Sequence, residues 1–235
     1  MIISHSKKFI YLKPTKVAGT STEMFFKQFC DRDTDIAEWE DSPKSTIWNS
    51  HKSASEIKQT LINKNIWNDY AKIGNIRNPW DRIVSSYCFH NHSQDKHLSK
   101  AKDLLFPSFE EFVQALGPKK SPNSWRRRGP MSFYEFYSID KFKEYYKNDM
   151  YFIRYENLYQ DILNVCKMLK LKPTKRWTLN NLAGMADGQI VNGKRLLHKF
   201  KSNRNTDYKT YYNEETKQII EKKYEYDIEF LNYTY

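Results

Sequence analysis

The sequence predicts an α/β fold with a mostly parallel central sheet that is covered by helices on both faces. Short β-prone runs at residues 9–12, 70–76 and 151–155 are each followed by a segment of helical periodicity, which is the pattern of repeated β-α units. With 235 residues, the chain has room for one α/β domain with insertions. We expect a single domain over residues 1–235, with insertions at about 31–46 and 90–130.

The first strand candidate leads into a loop that suits an anion. Residues 9–12, Phe-Ile-Tyr-Leu, are β-prone and end before a proline, which cannot continue a central strand. A helix is expected from about Thr20, with Thr20 or Ser21 as its cap, because apolar residues recur at helical spacing from there. The first amides of this helix, Gly19 and the cation of Lys16 together predict a site for a doubly charged oxyanion.

This loop differs from the Walker pattern of kinases and ATPases. Its lysine precedes its glycine and it holds one glycine, whereas the Walker pattern G-x-x-x-x-G-K-[ST] places lysine after the second glycine. A kinase-like nucleotide-binding protein is therefore an alternative with weaker support.

A capping box predicts a short helix after a polar, acidic stretch. Ser53 is followed three residues later by Glu56, so a helix is expected over residues 54–63. The residues on its buried side would be Ile57, Leu61 and Ile62. His51 lies just before this helix, where it is either a general base for a hydroxyl group or an exposed loop residue. Its unperturbed pKa of about 6.5 suits the first role.

The second strand candidate ends at a basic residue. Pro79 fits the first turn of the following helix, in which Ser85 lies about two turns on. The core face of that helix would hold Ile83, Val84 and Tyr87. Ligands of open α/β sheets bind outside the carboxyl ends of the strands, so we expect Arg77 to face the same crevice as Lys16.

The second half of the chain continues the alternation. A helical insertion is expected around residues 108–116, a helix over about 158–169 after the third strand, and an amphipathic helix over residues 217–226. The core residues of the last helix would be Ile219, Ile220 and Tyr224.

The composition favours a polyanionic partner. Lys and Arg number 39 against 28 Asp and Glu, for a net charge of +11, which suits nucleic acids, acidic glycans, anionic lipids or phosphorylated cofactors. A basic nucleic-acid-binding module is a second alternative, but the basic residues are dispersed and no recognition motif occurs, so we expect no nucleic-acid partner.

Cysteine usage and hydropathy indicate the compartment. The three cysteines are widely spaced and form no C-x-x-C pair, so reduced thiols are expected, without a disulfide or zinc site. No apolar run could span a bilayer, and the first residues lack the apolar core of a signal peptide. We therefore expect a cytoplasmic protein.

Residues 13–21 and 77–87 form two motifs that occur together in one known family. The first, Lys-Pro-Thr-Lys-Val-Ala-Gly-Thr-Ser, and the second, which fits R-N-P-x-x-R-x-x-S-x-Y, resemble the 5′-phosphosulfate loop and the 3′-phosphate motif of carbohydrate-type sulfotransferases. Those enzymes use 3′-phosphoadenosine 5′-phosphosulfate (PAPS). Residues 152–158, 198–212, 214–216 and 227–229 also resemble later parts of that family. The resemblance implies a P-loop-like three-layer fold and sulfuryl transfer from PAPS to a hydroxyl group, with a carbohydrate as the expected acceptor and 3′-phosphoadenosine 5′-phosphate (PAP) as product.

The resemblance also implies roles in binding the donor. Lys16 would contact the bridging or leaving phosphate oxygen. Arg77 and Ser85 would bind the 3′-phosphate, and Arg204 would close over the nucleotide. The other residues of the donor loop would be Lys13, Thr15, Val17, Ala18, Gly19, Thr20 and Ser21, with the amides of the last three holding the 5′-phosphosulfate.

The catalytic base has two candidates. His51 falls where glycan 2-O-sulfotransferases of this kind keep a histidine base, so the resemblance implies that role. Glu23 is the rival base, because some relatives use an early glutamate, and helix capping is its other expected role. The resemblance implies no metal, since cationic side chains and loop amides can replace Mg²⁺, and it implies that the insertions frame the acceptor cleft.

Overall fold

A computed structural model of the protein describes residues 1–31, 34–36, 51–92, 106–116, 129–146, 150–174, 190–191, 194–195 and 207–235. Its contacts divide the chain into two compact units. The sheet unit comprises Met1–Ile76 and Phe133–Lys199, and the helical unit comprises Arg77–Ser132 and Phe200–Tyr235. The prediction of one domain over residues 1–235 stays a prediction.

The sheet unit contains a four-stranded, mostly parallel sheet, which confirms the predicted α/β class. Its strands, in spatial order, are β1 Ile2–Ser4, β2 Phe9–Leu12, β3 Ala71–Ile76 and β4 Met150–Arg154. β2, β3 and β4 are parallel, whereas β1 pairs antiparallel with β2. β1 was missed by the sequence analysis because three residues are too few to show a period. A separate short ribbon pairs β5, Ile190–Val191, with β6, Lys194–Arg195.

The helices follow the strands largely as predicted. In chain order they are α1 Gly19–Phe26, α2 Ala54–Thr60, α3 Lys64–Asp69, α4 Pro79–His92, α5 Phe109–Gln114, α6 Phe133–Phe136, α7 Phe142–Tyr146, α8 Leu158–Met168, α9 Glu214–Lys223 and α10 Glu225–Leu231. Short 3-10 turns cover Lys27–Phe29, Ile139–Lys141, Tyr155–Asn157 and Tyr208–Tyr211. The region predicted as one helix over residues 217–226 is thus occupied by two helices, α9 and α10. The first begins earlier than predicted, at Glu214, and is capped by a reciprocal pair of hydrogen bonds between Asn213 and Thr216.

Aromatic side chains fill much of the core of the sheet unit. The buried cluster joins β2, β3 and β4 to α1 and α8, and its members include Phe9, Tyr11, Phe25, Phe26, Ile73, Ile153 and Ile162. Phe26 contacts the rings of both Phe9 and Tyr11, with centroids 5.7 and 5.9 Å apart. This packing holds α1 against the strand that precedes it, and therefore fixes the loop between them.

The helical unit has its own core. Ile83 and Val84 of α4 are fully buried, as predicted, together with Phe112 of α5 and Ile220 of α9. The predicted core residues Tyr87 and Ile219 are half-buried and pack against the same cluster. Tyr224 is buried, as expected.

The capping box of α2 is present, but the helix is shorter than predicted. The Glu56 carboxylate accepts a hydrogen bond from the Ser53 amide at 2.7 Å, and the Ser53 hydroxyl accepts one from the Glu56 amide at 3.4 Å. The chain leaves the helix at Leu61, which has extended backbone angles. Leu61 is buried as expected, with 4% exposure, whereas Ile62 is fully exposed at 101%. The prediction that Ile62 is buried was wrong, because helical periodicity no longer applies there.

These adjacent residues offer a matched stability test. Leu61→Ala should lower the free energy of unfolding by about 2–5 kcal/mol, because it removes buried methyl groups and leaves a cavity. Ile62→Ala should change it by less than about 0.5 kcal/mol. Urea unfolding followed by circular dichroism measures both, and equal effects of the two substitutions would contradict this end of α2.

Candidate active site

The loop between β2 and α1 has an unusual backbone. Lys16 and Ala18 both adopt the left-handed conformation, with φ angles of 64° and 59°, which costs a non-glycine residue about 1–2 kcal/mol. Ala18 is the N-cap of α1, and no side chain caps this helix. The predicted cap by Thr20 or Ser21 was therefore wrong, since both residues lie within the first turn. Left-handed residues at such a turn orient successive amides toward one point, which suits an anion.

Two amides of the loop have no acceptor within the helix. They are the amides of Gly19 and Thr20, the first two residues of α1, because an α-helix provides no acceptor at these positions. Both amides lie at the positive end of the helix macrodipole. The amides of Ser21 and Thr22, in contrast, donate to the carbonyl oxygen of Ala18 at 3.0 and 3.1 Å. Of the three amides expected to hold an anion, the Ser21 amide is thus already engaged with Ala18.

Gly19 makes room for a lysine side chain. A Cβ atom at this position would lie 2.7 Å from Cγ of Lys13, so any larger residue would collide with it. Beyond this point the Lys13 ammonium lies 2.5 Å from Oε2 of Glu23, and both side chains are buried. Gly19 does not have a positive φ angle. A glycine is thus needed here because the Lys13 side chain passes close to its Cα atom, and not because of the backbone conformation.

Glu23 joins two cations in the interior of the sheet unit. Its Oε1 contacts the amino group of Met1, and its Oε2 contacts Lys13. Burial alone would raise the pKa of Glu23, but the charges and hydrogen bonds of Met1 and Lys13 outweigh it, and the net shift is downward. Glu23 is the fifth residue of α1 and caps nothing, so its expected capping role was wrong.

A buried hydrogen-bond network fixes the start of α1. The Tyr11 hydroxyl lies 2.7 Å from Oδ1 of Asn75 and 3.1 Å from the Gly19 carbonyl oxygen, and both oxygens are acceptors for its single proton. The Asn75 amide donates to the Thr22 hydroxyl at 3.0 Å. Sequence analysis missed this network, although an asparagine inside an apolar strand was a signal.

His51 lies against the same loop. Its Nδ1 is 2.9 Å from the carbonyl oxygen of Lys13. A carbonyl oxygen can only accept, so Nδ1 carries the proton in the neutral ring, and Nε2 is the nitrogen with a free lone pair. His51 as a whole is exposed, yet its ring is partly withdrawn from water. This desolvation lowers the pKa of His51, and the charges of Lys13 and the Met1 amino group lower it further.

The same pKa is also subject to opposing influences. The hydrogen bond to the Lys13 carbonyl and the charge of Glu23 both raise the pKa of His51, but the net shift is downward. A histidine with a lowered pKa is neutral at physiological pH. His51 therefore has the protonation state and the free nitrogen that a general base needs.

The second motif lies in the helical unit and begins with a buried ion pair. Nε of Arg77 lies 2.7 Å from Oδ2 of Asp81, and both side chains are buried. Asp81 stands four residues before Ser85, which is also buried, so the two residues share one face of α4. The arginine is thus held by a carboxylate that sequence analysis did not assign, although the i, i+4 spacing was a signal.

Asn78 of this motif caps α4. Its Oδ1 accepts hydrogen bonds from the amides of Trp80 and Asp81 at 3.1 and 3.3 Å, and its side-chain amide donates to the Thr234 carbonyl oxygen at 2.9 Å. The helix begins at Pro79, as predicted. Asn78 therefore stabilises the turn that follows Arg77, a role that sequence analysis did not assign to it.

A sequence model of the sulfotransferase family matches residues 1–234. This chain belongs to the sulfotransferase family. The resemblance to sulfotransferases found from the two motifs is thereby confirmed at the level of the family, and transfer of a sulfuryl group is the general activity of the protein. No curated protein shows significant similarity to the chain.

Several predicted site residues of this sulfotransferase lie in different parts of the chain. Lys13, Lys16, His51 and the rest of the loop belong to the sheet unit, while Arg77 and Ser85 belong to the helical unit. The expected common crevice of Arg77 and Lys16 stays a prediction. Arg204 lies outside the described residues, as do most residues of the two predicted insertions.

The described part of the sulfotransferase shows no metal site, no membrane span and no disulfide. Within it, no three His, Cys, Asp or Glu residues group so as to hold a metal ion, and no helix is long and apolar enough to cross a membrane. All three cysteines are free thiols. Burial raises the pKa of Cys30 and of Cys166 to about 12, so both are poor nucleophiles.

The close approach at Gly19 gives a test of the loop. Gly19→Ala should lower the free energy of unfolding by about 1–3 kcal/mol, because its methyl group collides with a lysine stem that Glu23 anchors. The penalty should shrink in the Lys13→Ala background, where Cγ is absent. A double-mutant cycle by urea unfolding measures this coupling, and full additivity of the two substitutions would contradict the contact.

Proposed function

We propose that this sulfotransferase transfers a sulfuryl group from PAPS to a hydroxyl group of a carbohydrate and releases PAP. The observation that carries the proposal is the hydrogen bond from Nδ1 of His51 to the Lys13 carbonyl oxygen, beside the anion-binding loop. It makes Nε2 a base next to the place where the donor sulfate is expected. We also propose the P-loop-like three-layer arrangement that the family resemblance implies.

The donor is proposed to bind through both motifs. The amides of Gly19 and Thr20 and the cation of Lys16 hold the 5′-phosphosulfate, because they combine a helix N-terminus with a positive charge. Arg77 and Ser85 bind the 3′-phosphate, since an arginine fork suits phosphate oxygens. The remaining proposed donor contacts are Lys13, Thr15, Val17, Ala18, Ser21 and Arg204.

The reaction needs a base, an aligned acceptor and a stabilised leaving group. The acceptor oxygen attacks sulfur in line with the bridging oxygen; the new O–S bond forms as the S–O bond to the phosphate breaks. Nε2 of His51 takes the hydroxyl proton. Lys16 stabilises the charge that develops on the leaving phosphate oxygen, as preorganised cations do in related group transfers.

Glu23 is a poorer candidate for the base than His51. Its carboxylate is buried and engaged by two cations, which lower its proton affinity. An acceptor hydroxyl would have to displace one of these contacts to reach it. His51, in contrast, is exposed, and its Nδ1 hydrogen bond leaves Nε2 as the nitrogen that can accept a proton.

Binding of PAP tests the donor. Calorimetry should show tight binding to the wild type, with a loss of about 10- to 150-fold in Arg77→Ala, since a hydrogen bond to a charged group is worth about 1.5–3 kcal/mol. Arg154→Ala, which removes an exposed arginine of β4, is the matched control and should bind PAP normally. ATP should compete poorly, because it lacks the 3′-phosphate. Equal binding of ATP and PAP would favour a kinase-like protein instead.

Kinetics test the base. His51→Ala should lower turnover by about 10²- to 10⁴-fold, the usual contribution of a general base, while PAP affinity is retained. His5→Ala is the control, because His5 belongs to the same unit but bonds to the Tyr70 hydroxyl. Because the pKa of His51 is lowered, the wild-type rate should rise with pH through a value below about 6.5. Transfer of ³⁵S from labelled PAPS to unsulfated polysaccharides measures the rate.

The acceptor class needs a separate comparison. The same ³⁵S assay should show transfer to at least one unsulfated polysaccharide at a rate well above PAPS hydrolysis. Transfer only to phenols or other small alcohols would leave the donor chemistry in place and contradict the carbohydrate acceptor.

A further inference from the structure

A buried charge cluster lies behind the proposed base. Glu23 contacts the amino group of Met1 and the ammonium of Lys13, and all three groups are buried in the sheet unit. Lys13 also accepts the hydrogen bond of His51 through its carbonyl oxygen. One residue, Lys13, thus connects the carboxylate of Glu23 to the imidazole of His51.

We propose that Glu23 is a positioning residue for His51. Its carboxylate balances the positive charges around the imidazole, and it anchors Lys13, whose carbonyl oxygen orients the ring. This inference rests on the proposed function, in which His51 takes a proton during sulfuryl transfer. It gives Glu23 a role other than that of base or helix cap. It also gives the Lys13 side chain a second role, in addition to the proposed contact of this residue with the donor.

The electrostatic argument follows from the signs of the charges. A general base becomes a cation as it takes its proton, and nearby cations in a poorly solvated site oppose this. In the described residues, the charged groups that act on the His51 ring are the Lys13 ammonium, the Met1 amino group and the Glu23 carboxylate. Without Glu23, the cluster would carry two positive charges and no negative one.

The geometric argument concerns Lys13. Its stem passes against Gly19, where a Cβ atom would lie 2.7 Å from Cγ, and its ammonium ends 2.5 Å from Glu23. The residue is therefore held at both its side chain and its main chain. Its carbonyl oxygen is the group that determines which nitrogen of His51 carries the proton. Loss of the Glu23 anchor would leave a buried ammonium without its carboxylate and favour movement of Lys13 toward water.

The test is a set of charge changes read out on His51 itself. Nitrogen-detected NMR titration follows the imidazole in wild-type protein that begins at Met1, with His51→Ala to assign the signal. Glu23→Gln removes the negative charge at constant shape, so its His51 should titrate at lower pH than in the wild type. Lys13→Met removes a positive charge, so its His51 should titrate at higher pH. Lys13→Met/Glu23→Gln should return the titration toward the wild-type value.

The double variant keeps the proposal testable if a single variant fails to fold. Breaking a buried pair by removing one partner costs about 3–5 kcal/mol, whereas replacing both partners is often neutral. If Glu23→Gln does not fold, Lys13→Met and the double variant still test the proposal. Adding Glu23→Gln to Lys13→Met must then reverse the shift that Lys13→Met causes in the His51 titration. An unchanged His51 titration, or a shift in the same direction in both single variants, would overturn the proposal.

Transfer kinetics separate this proposal from the proposed function. If Glu23 acts through His51, Glu23→Gln should move the acid limb of the rate profile in parallel with the NMR titration, and PAP affinity should not fall. A titration that moves as expected while the acid limb stays in place would show that another group is the base. In that case the charge balance around His51 stands, and its assignment as the base fails.

Discussion

The buried ion pair between Lys13 and Glu23 is the interaction on which the site of the sheet unit depends. It joins Lys13, which follows β2, to Glu23 in the middle of α1. It therefore spans the loop that is predicted, from the family motif, to hold the donor. Its path explains why residue 19 is glycine, since a Cβ atom there would meet the lysine stem. It also fixes the residue whose carbonyl oxygen orients His51. A single contact thus links the proposed donor loop with the proposed base.

The loop itself is strained, and its surroundings explain how the strain persists. Two non-glycine residues, Lys16 and Ala18, adopt left-handed angles within three positions. Such conformations survive where neighbouring structure determines them, and they concentrate at functional sites. Here the Tyr11 hydroxyl contacts the Gly19 carbonyl oxygen and the Asn75 side-chain amide donates to the Thr22 hydroxyl, and these contacts hold the first turn of α1 in place. Burial also raises the pKa of Tyr11 well above its usual value, so its hydroxyl stays a donor across the physiological range.

Local patterns predicted the parts of the fold that depend on neighbouring residues in sequence. The three parallel strands, the capping box at Ser53 and the start of α4 at Pro79 follow from period and turn chemistry, and the family follows from two motifs. Long-range contacts could not be predicted in this way. The contacts of Glu23 with Met1 and Lys13 join residues 22 and 10 positions apart, and no local rule connects them. Likewise, Ile62 was misplaced because nothing in its own segment shows that the helix ends at Thr60.

The pairing of Arg77 with Asp81 has a consequence for anion recognition. Because the carboxylate engages Nε, the guanidinium plane is already oriented before any ligand arrives. An arginine or lysine side chain carries about 2 kcal/mol of rotamer entropy, and a side chain held in advance loses less of it on binding. A lysine at this position would keep the charge but present no rigid fork. If Arg77 binds the 3′-phosphate as proposed, the shape of an anion as well as its charge would then determine how well it binds.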